Sequence, residues 1–267
     1  MKKRKRWNGS SKCSGLFSVF FSVGAAVAGN AAPAFAQSDA PVFPARVELE
    51  TGAVWFTRND VRVPGEGGTR FPLTQVLGGD ASPFFRLSAS YDFNYRHGIR
   101  VLYAPLQVQR TGNLDQPVRF VSTDFAADTP TEATYKFNSY RITYRYRFRN
   151  TAVSDWRVGF TLKVRDARIA LRQGSLVASD SNLGLVPLLH IAGEQRFAPR
   201  WAFLLDFDGL AAPQGRAFDL GLKVGYDINP RWQVFAGYRT LEGGVDNEEV
   251  YNFTWFNYAV AGIAARF

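Results

Sequence analysis

The sequence predicts an all-β chain, an antiparallel up-and-down transmembrane β-barrel of about ten strands. Three observations predict it. Apolar and polar residues alternate with period two along most of the chain, and short connections alternate with long ones. Beyond residue 36 no stretch carries the apolar spacing of a long amphipathic helix. Alternation sends successive side chains to opposite faces of a sheet, so one face of each strand is greasy and the other polar.

The first residues are of a different kind. Lys2, Lys3, Arg4, Lys5, Arg6 and Lys12 precede an apolar, small-residue stretch from Gly15 to Ala28, and Ala34-Phe35-Ala36 stands just before Gln37. This is the order of a secretory signal peptide, with a charged region, an apolar region and an Ala-x-Ala cleavage site. The apolar run is shorter than the roughly 20 residues a helix needs to cross a bilayer. Residues 1–36 are therefore expected to be cleaved after Ala36, leaving residues 37–267 as a single barrel domain. The formal charge of +9 is mostly leader. Without those six basic residues the excess over the 23 acidic residues is about +3, which gives no reason to expect a nucleic-acid partner. Cys13, the only cysteine, also lies in the leader, so the barrel domain has no thiol chemistry and no disulfide framework.

The clearest strand sets Tyr140, Ile142, Tyr144, Tyr146 and Phe148 against Arg141, Thr143, Arg145 and Arg147. The same division recurs with Trp156, Val158, Phe160, Leu162 and Val164 against Arg157, Thr161, Lys163 and Arg165. It returns with Phe218, Leu220, Leu222, Val224 and Tyr226 against Asp219, Lys223 and Asp227. Weaker versions occupy Val47–Thr57, Phe84–Tyr95, Ile99–Gln109, Leu183–Phe197, Trp201–Gly209, Trp232–Leu241 and Val250–Phe267, which completes ten strands. Most reach the roughly 9 to 11 residues of a tilted membrane-crossing strand.

The connections at Arg96–Gly98, Asn150–Asp155, Ala198–Arg200 and Asn229–Arg231 are tight. Those at Arg58–Pro83, Arg110–Thr134, Arg172–Asn182, Leu210–Ala217 and Glu242–Glu249 are expected to be long loops. An even strand number then puts both ends of the domain on the short-turn side. Pro199-Arg200-Trp201 and Pro230-Arg231-Trp232 each close a short turn, and Asp155-Trp156 does the same, which predicts an aromatic girdle at that level. Trp55, Phe84, Phe85 and Trp255 are the candidates for the opposite girdle.

A soluble lipocalin-like barrel would also alternate, with its apolar parity turned inward. Here the greasy face runs almost unbroken over several strands, more than a soluble monomer normally exposes. Arg141, Arg145, Arg147, Lys163 and Arg165 share the other face, as a polar lumen would require. The chain ends on an alternating strand, Val260 to Phe267, closing on an aromatic residue. In this it resembles the Gram-negative outer-membrane β-barrel class, whose assembly machinery reads such a C-terminal strand. The resemblance implies residence in the outer membrane among lipid and lipopolysaccharide. It also implies closure of the first strand on the last, since bilayer hydrocarbon cannot satisfy a free strand edge. Ten strands predict a narrow, side-chain-filled lumen.

His97 reads as a solvated turn residue. His190 is expected inside the barrel. Pairing Phe197 with Trp201 across the short turn sets His190 opposite Asp208, and pairing Phe207 with Leu220 sets Asp208 opposite Asp219. Arg165 is expected to approach His190 from the preceding strand. The candidate polar cluster is thus Arg141, Lys163, Arg165, His190, Asp206, Asp208, Asp219 and Arg239. The residue types of Asp206-Phe207-Asp208 and His190 are similar to the acid and histidine set of the omptins, ten-strand outer-membrane proteases, although the chain has no Asp-x-His pair. A ladder of luminal ion pairs is the simpler reading, because buried charges need partners. No catalytic, cofactor-binding or metal residue is assigned; the Gly65-Glu66-Gly67-Gly68 run has no helix after it to cradle a phosphate. The expected role is structural, adhesive or porin-like permeation of a small solute, with a hydrolase site in the barrel mouth as the alternative.

Overall fold

The computed structural model describes residues 43–213 and 215–267; the expected leader and its cleavage site lie outside them. The alternating segments form β1 (Ala45–Arg62), β3 (Ser82–Asp92), β4 (His97–Ala104), β8 (Thr131–Asn150), β9 (Ser154–Gln173), β10 (Leu176–Ala198), β11 (Trp201–Ala212), β12 (Gly215–Asp227), β13 (Trp232–Asp246) and β14 (Tyr251–Arg266). Each pairs antiparallel with its chain neighbour, and β14 closes on β1 from Arg46↔Arg266 to Arg62↔Tyr251. The ten-strand barrel is closed. β5 (Gln107–Gly112) continues β4 beyond Pro105, and both pair with β8, so the two count as one broken strand.

Apolar side chains of the expected parity form the outer belt, with Val101, Ile142, Phe160, Leu162, Phe203 and Leu222 all exposed. Trp201 and Trp232 mark the short-turn end, exposed on the outer face, and Trp255 and Phe85 are exposed towards the other end. Phe84 departs from the girdle expected of it. It lies on the inner parity of β3, 6% exposed, with its ring edge-on to Tyr258 at 4.8 Å.

Several expected loops are strand instead. β9 and β10 meet in a tight turn in which Gln173 pairs Leu176 and Gly174 takes φ +58°, so most of the Arg172–Asn182 segment is hairpin. β11 and β12 likewise pair up to Ala212↔Gly215. The two connections that are long fold into a cap at the long-loop end, built from β2 (Phe71–Pro72), α1 (Thr74–Leu77), β6 (Val118–Phe120) and β7 (Thr123–Phe125). Phe71, Leu73, Leu77, Leu114, Phe120 and Phe125 are buried in it. Beneath the cap the lumen is apolar, with Val54, Phe56, Tyr135 and Phe256 in mutual contact or nearly so. Below that, charge takes over.

Candidate functional site

Inward parity brings the carboxylates of β1, β11 and β12 to one depth. β11 and β12 pair as expected, with Asp208 opposite Asp219 and Phe207 opposite Leu220, and β10 sets His190 opposite Asp208. One detail of that hairpin differs. Phe197 is a bulge, and Ala198 is the residue that pairs Trp201, so the register holds only above the bulge.

Two neighbouring carboxylates repel unless cations divide them, and arginines do so here. Arg141 donates from Nη1 to Asp208 at 2.6 Å and from Nη2 to Asp219 at 2.5 Å. Arg239 donates to Asp219 at 2.5 Å, to Asp206 at 3.0 Å and to Glu50 at 2.8 Å. Arg86 reaches Asp219 at 3.1 Å, and Arg100 reaches Asp206 at 2.9 Å. Lys223 lies between Glu48 at 2.7 Å and Glu50 at 3.1 Å. The five carboxylates Glu48, Glu50, Asp206, Asp208 and Asp219 are matched by Arg86, Arg100, Arg141, Lys223 and Arg239. Together they form a septum across the lumen.

Glu48, Glu50, Arg86, Arg100 and Lys223 were not among the candidates, yet their signal is present in the sequence. Glu48 and Glu50 alternate with Val47 and Leu49, Arg86 stands between Phe85 and Leu87, and Arg100 between Ile99 and Val101. Glu48, Glu50, Arg86 and Arg100 stand on less regular strands, whereas Lys223 shares the clearly alternating Phe218–Tyr226 strand with Asp219.

Of the expected cluster, Arg141, His190, Asp206, Asp208, Asp219 and Arg239 come together. Arg165 does not join them. It pairs Gly184, while His190 pairs Gly159, because the tight turn at Gly174 fixes a register that a longer loop would have shifted. Its guanidinium donates to Asn182 at 2.5 Å instead. Lys163 is beside Arg141 on the inner face, but among the described residues no carboxylate lies within 4.0 Å of its amine. The amine rests over the Phe137 ring at 4.7 Å. His97, expected to be solvated, is half-buried and its Nδ1 meets the Tyr144 hydroxyl at 2.6 Å.

His190 and Asp208 form a hydrogen-bonded pair at 2.9 Å, with Thr161 donating to the same carboxylate oxygen at 2.7 Å. Chemically this could hold a proton, and with Asp206 it could converge on a cation, since one ligand atom from each lies within 4.8 Å of the others. Arginine N–H groups already occupy both carboxylates. A metal ion would have to displace them.

Two cavities flank the septum. The one at the short-turn end, about 300 Å³, is polar and is bordered by Arg46, Ser88, Asp92, Arg145, Arg157 and Glu194. The one at the long-loop end, about 410 Å³, is bordered by Phe137, Lys163, Arg165, Leu188, Leu241 and Phe256. His190 borders neither.

No protein-family model matches the chain, and no curated protein matches its sequence. Its structure is similar to that of the outer membrane protease OmpT from Escherichia coli, at 11% identity and a TM-score of 0.54, over 86% of this chain and 99% of that one. Ail, the attachment invasion locus protein of Yersinia pestis, aligns over 84% of this chain and 99% of its own at 13% identity and a TM-score of 0.39. Neisserial surface protein A aligns over 84% and 97% at 16% identity and a TM-score of 0.37. At such identities likeness speaks for architecture alone: the chain has the fold of the outer-membrane β-barrels.

Proposed function

We propose that this protein is an integral barrel of a Gram-negative outer membrane that acts through the surface it presents outward, in a structural or adhesive role, and not as an open pore. The observation that carries the reading is the septum. Arg141 and Arg239 are almost wholly buried and together engage carboxylates from β1, β11 and β12, which sets a layer of ion pairs between the two cavities. Of the expected roles, solute permeation through the lumen has the least support. Hydrolysis has little more, because His190 borders neither cavity and the Asp208 carboxylate, which does border the larger one, is already held by Arg141 and Thr161.

Two partners fit this reading. Lipopolysaccharide phosphates would meet Arg58, Arg62, Arg70 and Arg216, which cluster around Tyr251 and Phe253 at the long-loop end. The assembly machinery would reach Phe267, exposed just past the end of β14. Reconstitution in planar lipid bilayers tests the main claim. The purified barrel should give no stable ohmic conductance, and steady single-channel steps carrying potassium chloride would overturn it.

A further inference from the structure

The barrel wall has a notch. From Arg196↔Ala202 to Leu189↔Gly209 strands β10 and β11 keep one register, which would next bring Leu188, Pro187 and Val186 opposite Leu210, Ala211 and Ala212. Among the described residues those pairs do not form. β10 goes on alone to Leu176, bound only to β9, while β11 turns back into β12 after Ala212. Pro187 sits at the parting point, where its missing N–H suits a free edge.

The notch opens at the upper edge of the lipid belt. Its floor, Gly209, is eight residues above Trp201 and Ala212 is eleven, which at about 3.3 Å per residue along a strand tilted by about 40° are heights of about 20 and 28 Å. The apolar band of such a barrel is about 25 Å tall. Leu183 and Leu185 flank the opening on the outer face, 74% and 68% exposed.

Behind the notch lies the 410 Å³ cavity, a volume suited to one small ligand or a single chain. Its walls are Phe137, Leu188, Leu241 and Phe256. Lys163, paired with Val186 on the notch lip, lies in its lining with only 3% of its surface exposed and, among the described residues, no carboxylate partner. Arg165 stands one inward position higher, against Gly184, where a side chain would press within 3.5 Å of its guanidinium. The septum balances its own charges, so these two cations are surplus to it.

We propose that this cavity is a lateral binding site for a free long-chain carboxylate, whose head is held by Lys163 and Arg165 and whose tail leaves through the β10–β11 notch towards the outer leaflet. Among the described residues the buried Lys163 amine has no carboxylate beside it, so an acidic head group is the partner that would hold it charged, and the apolar walls and the opening at the edge of the lipid belt call for a chain. The cavity holds one chain, which favours a fatty-acid-like ligand over a two-chain lipid.

The test uses the folded barrel in nanodiscs of zwitterionic phospholipid, with folding of every variant checked by heat-modifiable gel mobility. Titration with 11-(dansylamino)undecanoate should show saturable binding that laurate displaces and dodecanol does not. Lys163→Met should weaken it about tenfold or more, the loss of one charge-assisted hydrogen bond, and Lys163→Arg should restore much of it. Ala217→Trp, which fills the cavity from β12, should abolish it. Palmitate with a photoreactive group at the tail end should cross-link to Leu183, Leu185 or Phe218. Absence of saturable binding, or binding indifferent to Lys163→Met and Ala217→Trp, would overturn the site; cross-links to Leu114 or Phe120 in the cap would overturn the lateral route.

Discussion

Replacing Asp219 with alanine should lower the stability of the folded barrel by about 3 kcal/mol, the lower end of the range for breaking a buried ion pair. Asp219 accepts from three guanidiniums, those of Arg86, Arg141 and Arg239, at 3.1, 2.5 and 2.5 Å. None of them is left alone by the change: Arg141 keeps Asp208, Arg239 keeps Glu50 and Asp206, and Arg86 keeps Glu50 at 3.4 Å. That is why the loss sits at the low end. Asp219→Asn keeps the shape, but its amide N–H₂ must face an arginine whichever way it turns. The gentlest choice aims the oxygen at Arg86 and Arg141 and the amide at Arg239, for a loss of about 1–2 kcal/mol. Urea titration of the barrel folded into lipid vesicles, read by tryptophan fluorescence and gel mobility, measures both. With a slope of about 2 kcal/mol/M, alanine should move the midpoint by about 1.5 M and asparagine by about half that. A midpoint unchanged by alanine would mean that water fills the septum and screens it, and the closed-lumen reading would fall with it.

Other expectations follow from the faces and the ends of the chain. Leu222, half exposed on the outer belt, should not tolerate arginine, because a charge near the bilayer midplane of a barrel costs about 2–4 kcal/mol; Ser88→Arg, in the polar cavity, should insert normally, and the opposite order in vesicle folding would reverse the faces. Thr161→Arg, although on the inner face, should impair folding by overpacking, since Thr161 is buried between Thr143 and Asp208. Mass spectrometry of the membrane fraction should find Gln37 as the N-terminus, and an intact Lys-rich leader would count against export.

The strands were legible because period two is a strong signal wherever one face meets lipid and the other a crowded lumen. All ten lie where the alternation put them, and the register from His190 through Asp208 to Asp219 followed from pairing Phe197 with Trp201, a pair the bulge replaces without shifting the strand above it, and from a good apolar match at Phe207 and Leu220. Loop ends were less legible, since polar and small residues such as Ser179, Asp180 and Ser181 suit a loop as well as a strand standing above the membrane. That ambiguity misplaced Arg165. The cap was not legible at all: Phe71, Leu77, Leu114 and Phe120 come from two separate connections, and nothing in either one announces that it packs on the other.

Pro187 was the overlooked signal, and the two breaks in the sheet show why it matters. The wall also parts between β3 and β5, where the chain turns aside at Pro105. There the cap closes the breach: α1 lies so near β5 that a side chain at Gly112 would strike the Val76 backbone at 2.9 Å, Arg110 reaches across to Ser82 at 2.9 Å, and only about 10 Å³ remains open. Among the described residues the β10–β11 break has no comparable cover: strands β9 and β10 pair up to Gln173↔Leu176 and strands β11 and β12 up to Ala212↔Gly215, with no long connection on either side. Their lengths differ too, with β10 running 23 residues and β11 only 12. A free strand edge is costly in hydrocarbon unless it borders a cavity or carries no donor to satisfy. Pro187 removes one donor at the point where the strands part, and the cavity lined by Lys163 lies directly behind it. Among the described residues, the sequence that seals one opening with a long, greasy connection flanks the other with short ones, at the upper edge of the lipid belt and beside the Lys163 amine.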